Sequence, residues 1–199
     1  MFESVTYGNA LRRRFPEVRV MSANEHYDIL VLGSGEPGKY LAWALARAGH
    51  RTAVIERRLI GGSCPNIACL PSKNVIYSAK VASLARRGNE FGVTTGPISI
   101  DMQAVRHRKR QMVDALIATH QDNYRTSGAE LILGEGCFIA PQTIEVQLRD
   151  GGKRRLVGES VFLDVGTTAT IPDIAGLSSS TPLTHVEALD LDYVPDHLI

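Results

Sequence analysis

Tyr27-Asp28-Ile29-Leu30-Val31-Leu32-Gly33-Ser34-Gly35-Glu36-Pro37-Gly38 packs a strand, a turn and the opening of a helix into a short stretch. Tyr27 to Leu32 is apolar almost throughout and stops at a glycine, as a buried parallel strand does. Residues 38–49 read as a helix, with Leu41, Ala42, Leu45 and Ala46 at helical spacing and Gly49 able to end it. Arg51-Thr52-Ala53-Val54-Ile55-Glu56 reads as a second strand. Together they make a βαβ unit of about 30 residues.

Three glycines in the pattern Gly33-x-Gly35-x-x-Gly38 are weak evidence by themselves. Here they lie between strand and helix, and Glu56 stands 21 residues past Gly35 at the end of the next strand. That context makes the fingerprint of a dinucleotide site. Gly33 permits the tight turn. Gly35 lets the backbone approach a pyrophosphate on the helix N-terminus, and Gly38 lets the helix pack close to the strand. Glu56 can accept hydrogen bonds from a ribose hydroxyl, and its charge would repel a 2′-phosphate, which disfavours NADP at this site. Pro37 removes a donor that would have no intrahelical partner so near a helix start. The alternative is a glycine-rich turn that holds no ligand.

Just downstream comes Gly61-Gly62-Ser63-Cys64-Pro65-Asn66-Ile67-Ala68-Cys69-Leu70-Pro71-Ser72-Lys73, with two of the chain's three cysteines. A close pair can cycle between dithiol and disulfide, a two-electron switch. Beside a dinucleotide site, the fitting ligand carries a redox ring, and FAD meets that need. Cys64 near a helix start, with Lys73 nearby, is expected to favour the thiolate. Two buried structural cysteines, or half of a zinc site, are the other readings. Zinc would want two further ligands, whereas Cys137 is distant and the histidines are scattered. Cys137 itself reads as a small core residue.

The segment 64–86 reads as helical, disturbed early by Pro71. Residues 101–127 read as a long helix capped by Asp101 and ended by Gly128, with Val105, Met112, Leu116 and His120 on one face. Its run Arg106-His107-Arg108-Lys109-Arg110 is either a phosphate-binding patch or, more plainly, a solvated face. Glu130–Leu133 reads as a strand, 143–157 as a hairpin turning at Asp150-Gly151-Gly152, and Val161–Val165 as a returning strand. Residues 1–25 read as a loose extension, with Met21 as an alternative start.

At 199 residues and 44% hydrophobic, the chain suits one domain, or one domain and a piece of another. A net charge of +1 gives no reason to expect nucleic acid or an anionic membrane as partner. No run reaches the length of a membrane span. Three cysteines are too few for a secreted disulfide framework, so a reducing, cytoplasmic setting is expected.

In Gly33-x-Gly35-x-x-Gly38, Glu56 and the Gly61–Lys73 motif, the chain resembles the N-terminal part of the class I pyridine nucleotide-disulfide oxidoreductases. Weaker matches are Gly134-x-Gly136 and Val165-Gly166-Thr167. Pro71-Ser72-Lys73 is similar to dihydrolipoamide dehydrogenases and mercuric reductases. Departures are Pro65, Ala68 and Thr168-Ala169-Thr170. The resemblance implies an α/β fold: a Rossmann-like FAD-binding domain with a parallel sheet, crossover helices and an inserted β-hairpin or meander. It implies electron flow between NAD(P)H, flavin and a Cys64–Cys69 disulfide, with a small-molecule disulfide, dithiol or metal ion as substrate. Cys69 would contact the flavin and Cys64 would meet the substrate. Cofactor contacts would fall to Gly33, Ser34, Gly35, Pro37, Gly38, Glu56, Arg57, Gly62, Ser63, Lys73, Gly136, Gly166 and Thr167, with Lys73 near the flavin and no resident metal.

The resemblance also divides the chain. Residues 26–190 would be the first segment of the FAD domain, and 191–199 the start of a strand or linker toward a nicotinamide-binding domain beyond Ile199. The chain is read as partial, as a homodimer when full length, and as unable to turn over alone. The competing reading is a non-catalytic module that binds a nucleotide or a soft metal ion.

Overall fold

The structure is a computed structural model that describes residues 24–199. Met21 and nearly all of the expected extension lie outside the described residues. Glu25 is already the first residue of strand β1.

Five strands form a closed ring: β1 (Glu25–Leu32), β2 (Thr52–Glu56), β3 (Glu130–Ala140), β4 (Thr143–Leu148) and β5 (Lys153–Leu163). β1 pairs in parallel with β2 and with β5, and β2 pairs in parallel with β3. β4 is antiparallel to both β3 and β5, so the meander β3-β4-β5 carries the sheet back onto β1. This is the expected α/β architecture of parallel strands with an added meander. The second arm of the expected hairpin and the returning strand are one continuous β5, which first pairs with β4 and then runs beside β1. Gly151 and Gly152 turn the chain between β4 and β5 at φ of 96° and 85°, a region open to glycine without strain.

Helix α1 (Glu36–Arg47) joins β1 to β2. Helices α2 (Ser63–Ile67), α3 (Cys69–Arg86) and α4 (Met102–Ser127) lie between β2 and β3. α1 starts two residues earlier than the periodicity implies, because Glu36 and Pro37 suit a first helical turn whose N–H groups lack partners. The helix read over 64–86 is broken at Ala68 (φ −134°, ψ −100°), not at Pro71. Pro71 falls in the first turn of α3, where its missing N–H does no harm. α4 matches its expectation: the Asp101 side chain accepts from Ala104 N, and Gly128 closes the helix at φ 82°.

Each strand face has its own core. Leu30, Ala53, Ile55, Ile132, Ile144, Val146 and Leu156 pack together on one face of the sheet. On the other, Ile29, Val31 and Val54 meet Ala42 and Trp43 of α1 and Tyr124 of α4. β1 is therefore buried on both sides, which explains its near-continuous apolar run. A polar cluster closes the far end: Arg154 holds Glu25 with two bonds of 2.8 and 2.6 Å, and also reaches Glu130 and the Tyr27 hydroxyl.

A last short helix, α5 (His185–Ala188), begins with a capping box between Thr184 and Glu187. Of the basic run of α4, His107, Arg108 and Arg110 are exposed, as a solvated face would be, while Lys109 is buried. Lys109 donates to Leu189 O and Asp190 Oδ1, Arg110 to Asp190, and Arg106 to Asp192. It tethers the C-terminal segment. Residues 191–199 form no strand in the structure.

Candidate functional site

At the C-terminal ends of the parallel strands β1 and β2, where α/β sheets present their ligand crevice, lies an open cavity of about 420 Å³. One wall is the glycine turn, with Gly33, Gly35, Glu36 and Pro37. The close approaches there explain the glycines. A Cβ on Gly33, which has φ 101°, would collide with the Asp164 carbonyl oxygen. One on Gly38 would lie 2.5 Å from Asp164 Oδ2, and one on Gly62 would lie 2.5 Å from the Cα of Gly35. The Gly61-Gly62 pair is thus pressed against the turn itself. Asn66 fixes it there by donating to Ile60 O at 2.9 Å and Gly62 O at 2.7 Å.

Glu56, Arg57, Arg58 and Leu59 form a second wall, Gly134 to Gly136 a third, and Asp164 to Thr168 the lip. Glu56 is 7% exposed, and its carboxylate accepts four hydrogen bonds. Oε2 takes Ser34 N (3.0 Å) and Ser34 Oγ (2.6 Å), and Oε1 takes Arg58 N (2.7 Å) and Leu59 N (2.9 Å). A carboxylate has about four lone-pair sites, so a ribose hydroxyl donating here would share an oxygen with a protein donor. Ser34 corrects an expectation. It is fully buried and lies outside the cavity wall; its hydroxyl serves Glu56 and accepts from Gly61 N at 3.0 Å.

Cys64, in the first turn of α2, lines the cavity; Cys69, the first residue of α3, is exposed and does not. Both are free thiols within hydrogen-bonding reach of each other. The expected thiolate is not found at Cys64. Its hydrogen bond with Cys69, and then burial, push the thiol up to about 11. The charges that bear on it are Glu36, which raises it further, and Lys39, which lowers it. Lys73, the lysine expected near the flavin, is exposed and is absent from the cavity wall. Cys137 likewise departs from the core reading: it is exposed on β3. Gly33, Gly35, Pro37, Glu56, Arg57, Gly62, Ser63, Gly136, Gly166 and Thr167 do line one cavity with Cys64, and Gly38 packs behind the turn.

Two features escaped sequence reading. Lys39 is 1% exposed, and its ammonium meets Glu36 Oε1 (2.7 Å), Gly61 O (3.3 Å) and His120 Nε2 (3.2 Å). A lysine directly after the third glycine was the available signal. His120 is itself 7% exposed, and burial, with Lys39 beside it, lowers its pKa. The second is Asp164, whose Oδ2 accepts from Gly38 N at 2.9 Å. An acid closing an apolar strand before Val165-Gly166 was the clue.

The family model for pyridine nucleotide-disulphide oxidoreductases matches residues 27–199. A dihydrolipoyl dehydrogenase of Bacillus subtilis is 30% identical over 87% of this chain and 38% of its own length. A mercuric reductase of Staphylococcus aureus is 30% identical over 86% of this chain and 31% of its own. Among solved structures, the copper(II) complex of an HOCl-induced flavoprotein disulfide reductase from Escherichia coli aligns at TM-score 0.70 and 27% identity, over 85% of this chain and 35% of its own. The chain thus spans between about a third and two-fifths of the length of these relatives.

Proposed function

This chain belongs to the pyridine nucleotide-disulphide oxidoreductase family, and on that footing we propose that its cavity seats FAD beside a redox pair made of Cys64 and Cys69. The observation that carries the reading is a single cavity bounded both by the glycine turn and by the Cys64 thiol. Its volume falls within the range of small-molecule sites. Asp164 packs against Gly33, Gly35 and Gly38, and Gly35 against Gly62, so side chains are excluded there and the Gly33, Gly35 and Gly62 backbone lines the cavity.

When bound, the flavin supplies two-electron exchange between NAD(P)H and the thiol pair. The chain's residues do the rest. Gly33, Gly35 and Gly62 would present bare backbone to the pyrophosphate, and Gly136 opens the wall beside Leu32 and Ile55. Cys64 and Cys69 lie within hydrogen-bonding reach of each other, and joining them as a disulfide would release two electrons and two protons. Because Cys64 holds its proton up to about 11, it needs a proton acceptor before it can attack a substrate disulfide.

The intact protein, in this proposal, carries electrons between NAD(P)H and a small disulfide, a dithiol or a metal ion, the substrate classes named by its relatives. Residues 26–190 form the first segment of its FAD domain, and 191–199 lead toward a nicotinamide domain. It works in the cytoplasm as a homodimer. Among the described residues no helix is long and apolar enough to cross a membrane. The exposed Ile76, Tyr77, Val81 and Leu84 of α3 suit subunit pairing.

The test is reconstitution. Purified protein titrated with FAD should quench flavin fluorescence and hold flavin absorbance through gel filtration. On mild reduction a long-wavelength band should appear that Cys69→Ser abolishes. Failure to take up FAD under any condition would favour soft-metal or nucleotide capture without redox turnover. A band that survives Cys69→Ser would overturn the division of roles between the two thiols.

A further inference from the structure

The head of α1 is where a dinucleotide's diphosphate belongs, because the first N–H groups of a helix lack partners and point at the ligand. In this chain much of that donor set is taken. Gly35 at the N-cap position brings no side chain to the helix end. Pro37 has no N–H. Lys39 N is already bonded to Gly35 O. Asp164, arriving from the end of β5, accepts from Gly38 N through Oδ2 at 2.9 Å, and the Gly35 backbone also lies beside its carboxylate and favours the charged form. Its carboxylate lies so close that a Cβ on Gly35 would be 2.7 Å from Oδ2 and 2.9 Å from Oδ1. Pro37 and the Gly38–Asp164 bond thus remove two of the first-turn donors from a ligand.

Charge points the same way. The cavity wall carries Glu36, Glu56, Glu135 and Asp164 against Arg57 and Arg58. Arg57 is 64% exposed and is turned toward Glu135 at 3.6 Å. A site for a dianionic diphosphate is therefore lined by more acid than base, and the acid nearest the phosphate position is Asp164.

We propose that Asp164 is an internal anion occupying the phosphate position of the glycine turn, and that it sets the affinity of this site for diphosphate esters. A diphosphate must displace the carboxylate from the Gly38 N–H and the Gly35 backbone, or bind against its charge. The adenosine part of the ligand, which would lie along β2 and Gly136, does not meet that penalty. This rests on the proposal that the cavity takes FAD. It adds that its hold on the diphosphate is restrained by the chain's own residue.

The experiment compares wild type with Asp164→Asn, which keeps a carbonyl oxygen for Gly38 N and removes the charge. Asp164→Ala serves as a second variant, and circular dichroism checks the fold of both. Calorimetry measures binding of ADP, FAD and adenosine. ADP and FAD should bind Asp164→Asn about tenfold more tightly, the size of a change of ~1.4 kcal/mol, while adenosine binds all three proteins alike. The inference is overturned if wild type binds FAD and Asp164→Asn binds it no better. It is also overturned if adenosine gains as much as ADP, which would mark a loosened wall and not a removed charge. If none of the three proteins binds FAD or ADP, the assignment of the cavity falls, and this inference with it.

Discussion

Replacing Glu56 with glutamine should destabilise the fold by about 3–5 kcal/mol, whether or not any cofactor is present. The structure gives the figure. Glu56 accepts from Ser34 N, Ser34 Oγ, Arg58 N and Leu59 N. A glutamine amide has one acceptor oxygen and one donor nitrogen. If the nitrogen replaced Oε1, it would face two backbone N–H groups. If it replaced Oε2, it would face one N–H and a hydroxyl, and the hydroxyl could turn to accept from it while donating to Leu59 O, now 3.3 Å away. The second orientation is preferred, and it leaves one backbone donor unsatisfied at about 1–3 kcal/mol. The remaining bonds lose their charge assistance, roughly 1 kcal/mol each. Urea unfolding followed by tryptophan fluorescence is suitable, since Trp43 is buried in the core beside Tyr124. With a slope of about 1–3 kcal/mol/M, the midpoint should fall by about 2 M. Ser34→Ala removes the same hydroxyl and strips Gly61 N of its acceptor, so the double variant should be less damaged than the sum, with coupling of about 0.5–3 kcal/mol. A midpoint shift under about 0.3 M for Glu56→Gln, or strict additivity, would refute the view of Glu56 as a structural hub.

Three further outcomes can be measured. Arg154 hydrogen-bonds hold the Glu25 carboxyl below its usual range; at Glu130, burial raises the carboxyl but bonds from Arg154 and Tyr27 outweigh it. Both carboxyls therefore contribute stability above their unfolded pKa near ~4.3, and this is lost as pH falls through their lower folded values. Urea midpoints taken from pH 6 to pH 3 should drop, and Arg154→Met should flatten that slope. Gly61→Ala should lower thermal stability by about 1–3 kcal/mol, because Gly61 sits at φ 90° and its new methyl would meet the His120 ring. Gly49→Ala, at φ 96° but with open space around it, should do less harm, and equal losses would show that the His120 contact is immaterial. Asp190→Asn should speed limited proteolysis within 164–184 about fivefold by weakening the hold of Lys109 and Arg110. The expected loss is only ~1 kcal/mol, since Asp190 is half exposed, and unchanged cleavage would mean that the tether is ornamental.

The βαβ unit was legible because two physical demands write directly into sequence: burial of β1 on both faces, and close backbone approach at Gly33, Gly35 and Gly38. α4 was legible through its caps, Asp101 and Gly128. What stayed hidden depends on partners far along the chain. Nothing local in Ser34 says that its hydroxyl serves Glu56 and not a ligand. The thiol of Cys64 could not be judged from its helix or from Lys73, because Cys69, Glu36 and Lys39 fix its charge. Cys137 reads as core by residue type, yet β3 runs well past its pairing with β2, and Cys137 faces solvent opposite Glu145. The basic run of α4 had no visible purpose until Asp190 and Asp192 were brought against it.

Closure of the five strands into a ring gives each described strand a neighbour on both sides along part of its length. Sheets with long open borders recruit further extended segments, and aggregation by strand addition starts there. Among the described residues such border is chiefly β3 past Leu133 and β5 past Val157. Association between copies should then proceed through side chains, with α3 and its exposed Ile76, Tyr77, Val81 and Leu84 the apolar surface at hand. Charged replacements on that helix should improve solubility more than any change made to the strands.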